Sequence, residues 1–130
     1  MPRTLLSLLA AAGLLVLVPA PSALAATGHD CSGSSWQSTL KKSERWIVKR
    51  ESGFSPTAAN PTSSAFGIGQ LILANRRRYA AAAGADPARE TYHSGTTKPC
   101  TQLRMMRLYI EHRYGSTKKA KRFWKHYHWY

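Results

Sequence analysis

Acidic residues are scarce in this chain. There are six Asp and Glu among 130 residues, against 19 Lys and Arg, giving a formal charge of +13 at pH 7. Carboxylate chemistry can therefore reside only at Asp30, Glu44, Glu51, Asp86, Glu90 or Glu111. Long apolar runs are also few. The one extended run, Leu5 to Val18, sits behind Arg3 and ahead of the small-residue site Ala23-Leu24-Ala25. It is shorter than the roughly 20 residues a membrane span needs and has the layout of a secretory signal. The expected organisation is a signal peptide over 1–25, a polar coil over 26–35 and a single domain over 36–130. An uncleaved anchor is the alternative for the first segment. No membrane span is expected after cleavage.

Cysteine is limited to Cys31 and Cys100. In an exported protein an isolated pair reads as a disulfide, which would stabilise the fold by roughly 4 kcal/mol on the chain-entropy model. A zinc site from His29, Cys31, His93 and Cys100 is the sharper alternative, but the spacing fits no metal motif. No metal or cofactor is expected. Repeats and low-complexity segments are absent after the apolar leader.

The positive charge favours polyanions such as acidic wall polymers, anionic lipid or nucleic acid, and export argues against the last. Two runs concentrate it: Arg76-Arg77-Arg78, and Lys118-Lys119 with Lys121-Arg122. Such runs read first as solvated helix faces.

Periodicity predicts a mainly α domain. Trp36, Leu40, Ile47 and Glu51 share one stripe of a helix from about Trp36 to Glu51, which Gly53 ends. Glu44 lies about 40° off that stripe. From Ser55 to Ser64 the chain is turn chemistry, with Asn60-Pro61 marking a tight turn. An irregular loop or tiny β-hairpin is expected after this first helix. Asn75 can cap a further helix ending at Gly84, and Asp86-Pro87 starts a short turn. Pro99 opens a helix with Leu103, Met106, Ile110 and Tyr114 on one face and Tyr109 beside it, which Gly115 stops. Ser116 caps a last helix carrying Ala120, Phe123, Trp124 and Tyr127.

Glu51 is the polar residue that continues a buried face just before a glycine-containing loop, Gly67-Ile68-Gly69-Gln70. Against an apolar surface its ionised form would be poorly solvated, which raises its pKa and suits a general acid. Periodicity alone also allows an exposed helix-terminal glutamate, or one paired with an arginine. Phe123 and Trp124 read as core, whereas Trp129 and Tyr130 could equally stack on sugar rings. His126 and His128 are expected to bind nothing. Glu111, beside His112 and Arg113, is expected to be solvated.

The stretch Glu-Ser-Gly-Phe-Ser-Pro-x-Ala-x-Asn-Pro-x-Ser-x-Ala-x-Gly-Ile-x-Gln, from Glu51 to Gln70, resembles the opening motif of lysozyme-like lytic transglycosylases. The similarity is greatest to the branch of aggregation-promoting-factor-like surface proteins and small actinobacterial wall proteins. Thr101-Gln102-Leu103, Tyr109-Ile110, Arg113-Tyr114-Gly115-Ser116 and His128-Trp129-Tyr130 look like the same branch's second half.

The resemblance implies a small lysozyme-like helical domain in which Glu51 is the single catalytic acid. It implies that Ser52 supports the helix end, and that Gly67, Ile68 and Gln70 line the glycan cleft, with Gln70 placed toward substrate or Glu51. Tyr109 would face the acid; Trp129 is taken as a substrate contact from the tail aromatics themselves rather than from the resemblance. The implied reaction protonates the oxygen between N-acetylmuramic acid and N-acetylglucosamine, then closes a 1,6-anhydro ring. The implied partner is peptidoglycan, met by a secreted or wall-associated monomer. A hydrolytic muramidase and a catalytically silent cationic wall-binding protein are the competing classes. The chain departs from the family pattern at Gly69, where a larger residue, often Met or Pro, is usual, and in its basic, aromatic tail. It also lacks the Asn-containing motif that larger transglycosylases place in the last helix.

Overall fold

The computed structural model describes residues 33–130, so the expected signal peptide, Cys31 and most of the polar coil lie outside the described residues. A 3-10 turn, Gly33–Thr39, precedes four helices: α1 (Lys42–Ser52), α2 (Leu73–Ala83), α3 (Pro99–Tyr114) and α4 (Thr117–Tyr127). A second 3-10 turn, Pro87–Arg89, lies between α2 and α3. The expected mainly helical class is the one observed. No helix among the described residues is long and apolar enough to cross a membrane.

The helix expected to run unbroken from Trp36 to Glu51 is instead two pieces. Thr39 turns its hydroxyl back onto the Trp36 carbonyl at 2.7 Å, closing the 3-10 turn. Lys41 is extended, and the Glu44 carboxylate accepts from its backbone N–H at 2.9 Å, so α1 restarts there. This is one half of a capping box, in which the third helical residue reaches back to the chain entering the helix. Trp36 and Leu40 are still buried, because the turn carries them onto the same core that Ile47 enters. Arg107 of α3 then grips Glu44 with two bonds of 2.8 and 2.9 Å and reaches the Thr39 carbonyl at 3.2 Å. One acid thus starts α1 and ties it to α3.

The helix ends follow the glycines. Gly53, Gly84 and Gly115 close α1, α2 and α3 in the left-handed conformation that an L side chain resists. Ser116 caps α4 by accepting from Lys119 N–H. Helix α2 starts two residues ahead of Asn75, because its leading N–H, on Leu73, is taken by the Ser64 hydroxyl at 3.0 Å. The cap comes from across the loop rather than from the neighbouring sequence.

The core gathers on α3. Leu103, Met105, Met106 and Ile110 meet Ile47 and Val48 of α1, Ala80 and Ala83 of α2, and Ala120 of α4. The three alanines let α2 and α4 approach α3 closely, since interhelix distance follows side-chain size at the contact. Fully burying each Ile, Leu or Met contributes roughly 1.5–3 kcal/mol.

Between α1 and α2 the expected irregular loop is held by two isolated antiparallel bridges, Ala59 with Phe66 and Phe66 with Leu71. Asn60 makes the tight turn by accepting from the Thr62 N–H at 2.9 Å. Arg76, expected on a solvated face, is 2% exposed and organises this region. It pairs with Glu90 at 2.5 Å, itself fully buried. It also donates to the carbonyls of Leu71, Ser64, Thr91 and Ser94 at 2.7 to 3.0 Å. Arg77 and Arg78, one and two residues on, are exposed as expected.

Arg76→Met should therefore cost about 3–5 kcal/mol, because it leaves the Glu90 charge buried without its partner. Arg78→Met, made in the same basic run, should stay within about 0.5 kcal/mol. Urea unfolding of the two variants compares them directly.

Candidate active site

Glu51 lies in the last turn of α1, four residues beyond the fully buried Ile47, and is half-buried itself. Its Oε1 accepts from the indole N–H of Trp124 on α4. Burial pushes the Glu51 carboxyl above the ordinary carboxylate range, and the indole bond opposes that rise by favouring the ionised form. The donor is a neutral side chain. Glu44 and Glu90, by contrast, are each bound to an arginine. Asp86 caps the Pro87–Arg89 turn by accepting from Ala88 N–H at 2.9 Å, and Glu111 is exposed on α3. Among the five described acids, only Glu51 couples partial burial to a neutral hydrogen-bond donor.

Ser52, the last residue of α1, places its hydroxyl 2.9 Å from the Ile68 carbonyl and 3.2 Å from that of Val48. It pins the glycine loop to the end of the helix that carries Glu51. Ile68 anchors the loop with a fully buried side chain. Its N–H donates to Gln102 Oε1 at 3.0 Å, while Gln102 Nε2 donates to the Pro56 and Thr96 carbonyls at 2.8 and 2.6 Å. A β-carbon on Gly67 would fall 2.6 Å from that amide, so glycine at 67 is required both by contact and by its φ of +80°. Gln70 donates from Nε2 to the Ala58 and Gly67 carbonyls at 2.9 and 3.0 Å, which directs its amide nitrogen into the loop.

Gly69 has a different neighbour. A β-carbon there would meet the Tyr130 hydroxyl at 2.8 Å and Met106 at 3.0 Å. The Tyr130 hydroxyl donates to the Gly69 carbonyl at 2.6 Å, and its ring meets Tyr109 edge-on at 5.6 Å. The tail thus fills the space beside residue 69. Burial holds the Tyr130 phenol far from ionisation, and the negative charge of nearby Glu51 adds to this. Tyr109 is 4% exposed and forms part of the wall behind Tyr130 rather than an open platform.

Trp129 is 49% exposed. It meets Phe123 edge-on at 4.9 Å, with the Arg113 guanidinium 5.0 Å from its ring. Phe123 touches Tyr114, and Tyr114 touches Tyr109, so aromatic rings run continuously from Trp129 to Tyr130 beside Glu51. The structure brings Glu51, Ser52, Gly67, Ile68, Gln70 and Tyr109 into one region, with Trp129 at the outer end of this ring series.

Three residues of the region were not foreseen in these roles. Trp124 reads from sequence as packing, Tyr130 as a tail aromatic and Gln102 as part of a motif without an assigned task. Gly69 carried a signal for one of them, since a glycine where bulk is usual calls for another side chain to supply the volume.

The family model of the transglycosylase SLT domain matches residues 34–129. No curated protein and no solved structure matches the chain. The family match takes in every helix, the loop after α1 and each residue around Glu51 apart from Tyr130. On its fold and on this match over well more than half its length, the chain belongs to the transglycosylase SLT domain family.

Proposed function

We propose that the protein is a secreted peptidoglycan lytic transglycosylase with Glu51 as its single general acid and base. The observation that carries this reading is the environment of Glu51: half-buried, raised above the usual carboxylate range, and hydrogen-bonded by a neutral indole. A carboxyl raised in this way holds its proton more readily and can donate it to the glycosidic oxygen between N-acetylmuramic acid and N-acetylglucosamine. The carboxylate left behind then accepts the proton of the muramyl C6 hydroxyl as that oxygen attacks C1 and closes the anhydro ring. This route needs no activated water. It also avoids the second carboxylate that a paired glycosidase places a few ångströms away. The other described acids are committed to arginines or a turn, or lie exposed on α3, which accords with a single-acid reaction.

In this reading Ser52, Gly67 and Ile68 set the cleft wall, and Gln70 presents its carbonyl side to the glycan. Tyr109 backs the acid through Tyr130, and Trp129 offers an exposed ring for a sugar face. The signal segment, the Cys31–Cys100 disulfide and the aggregation-promoting-factor-like branch belong to the same proposal, with the protein secreted or held at the wall.

Incubation with purified sacculi, followed by mass spectrometry, should yield anhydromuropeptides. Reducing muropeptides would indicate hydrolysis, and sedimentation with sacculi without cleavage would indicate a silent wall binder. Glu51→Gln should lower product formation at least about 100-fold, the scale of general acid catalysis. The same variant should unfold at higher urea than the parent at neutral pH. A carboxyl raised in the folded state contributes stability below its unfolded pKa, and that stability is lost as pH rises through its folded value. Glutamine does not titrate and escapes that loss.

The pH profile carries a signed prediction. Activity should fall on the alkaline side as Glu51 loses its proton. Trp124→Phe removes the bond that favours the carboxylate, so the alkaline limb should move to higher pH. A kcat–pH series on the two proteins measures it.

A further inference from the structure

Helices α1 and α4 border an open hollow of about 310 Å³, lined by Ser43, Lys118, Lys121, Arg122 and Lys125. Among the described residues no acidic side chain lines it. The four cations recur at i, i+3, i+4 and i+7 on α4, so they form one ladder about 10 Å long at 1.5 Å per residue. This placement works against the helix itself. Like charges four residues apart repel, and α4 opens with Lys118 and Lys119 and has no acid in its first turn, where the helix dipole favours negative charge.

Two of these cations, Lys121 and Lys125, are also held in place. Trp46 of α1 has the Arg50 guanidinium 3.6 Å from its ring, Lys121 Nζ at 5.0 Å and Lys125 Nζ at 5.8 Å. Partial desolvation lowers the Lys121 pKa, as does repulsion from Lys125, Lys42 and Arg50. Positive charge is thus crowded onto a concave surface and steadied by an aromatic ring.

We infer that this α1–α4 groove is a binding site for a linear phosphodiester polymer of the cell wall. A row of cations about 10 Å long fits a chain with repeating negative charges better than a single small anion. Three of the four rungs are ammonium groups, compact point charges that bind phosphate oxygens without demanding a fixed fork geometry. That the polymer belongs to the wall rests on the peptidoglycan reading above; the affinity of the groove for a phosphodiester chain does not. Trp124 lies edge-on to Trp46 at 5.1 Å and bonds Glu51, so the Trp46–Trp124 indole pair would separate the bound polymer from the acid. It would hold the domain on its substrate without occupying the glycan cleft.

Binding of poly(glycerol phosphate) to the Glu51→Gln protein, read by calorimetry over a salt series, tests this independently of cleavage. Lys118→Gln/Lys125→Gln, at two exposed positions, should weaken binding at least tenfold. It should also flatten the log–log salt slope by about 1.4, at roughly 0.7 per neutralised phosphate of a single chain. Arg89→Gln/Lys98→Gln removes the same charge from a separate hollow of about 560 Å³ and should change affinity less than twofold. Equal losses in both double variants would overturn the site in favour of diffuse charge. Polyglutamate binding as tightly would overturn the phosphate assignment. Tighter binding to phosphatidylglycerol–phosphatidylcholine vesicles, lost with the same lysines, would replace the polymer with a membrane. Absence of binding to poly(glycerol phosphate) would end the proposal while leaving the catalytic reading to its own test.

Discussion

Arg76 directs all of its N–H donors inward, to Glu90 and to four backbone carbonyls drawn from both sides of α2. Ser64 and Leu71 belong to the loop that shapes the region around Glu51, whereas Thr91 and Ser94 belong to the connection leading to α3. Neither segment has regular strands to satisfy its backbone, and buried carbonyls without partners are costly. One guanidinium therefore substitutes for a sheet. Glu90 neutralises it and accepts from the Thr96 N–H at 2.9 Å, and Thr96 in turn accepts from Gln102. Gln102 then reaches the loop at Ile68. A continuous polar chain thus runs from α2 through the connection to α3 and back to the loop pinned by Ser52. A small domain with a modest core obtains a defined cleft wall in this way, because the buried polar groups are mutually satisfied.

The site joins two environments that seldom coincide. Glu51 is shielded enough to favour its neutral form, yet its one fixed donor, Trp124, favours the charged form. A group that must give up a proton and later take one back benefits from an environment between the two extremes. Arginine at the position of Trp124 would shift the acid toward its ionised form, and a purely apolar neighbour would shift it toward its neutral form. The scarcity of acids has the same sense, because among the described residues no second carboxylate is placed to share the proton.

Much of the fold was legible because it is local. The glycines at 53, 84 and 115 end their helices, Pro99 opens α3, and Ser116 caps α4, each through backbone chemistry confined to a few residues. The break at Lys41 was not legible. Hydrophobic spacing from Trp36 to Glu51 runs smoothly across it, and the interruption depends on Glu44 bonding backward. The start of α2 was misplaced for a related reason, since its cap is a serine nine residues upstream. Among Arg76, Arg77 and Arg78 composition gives no distinction; only the direction each takes from the helix separates a buried strut from solvated neighbours. In the site, Glu51 and the glycine loop were visible as one contiguous motif. Trp124 and Tyr130 were not, because they arrive from 73 and 61 residues away and no periodicity joins them to their partners.

The fit between Gly69 and Tyr130 has an evolutionary consequence. A side chain at 69 and the phenol of residue 130 compete for one volume, so the two positions form a single trait encoded 61 residues apart. A lineage moving between a bulky residue 69 and this arrangement must empty that space before the tyrosine can dock. The reverse order passes through a clash between a buried ring and a packed loop. Epistasis of this kind fixes the order of the steps: once the tail has settled beside the acid, restoring bulk at 69 is blocked until the tail is displaced. Chimaeras that exchange the glycine loop between relatives would inherit the same constraint and would need to carry the tail with it.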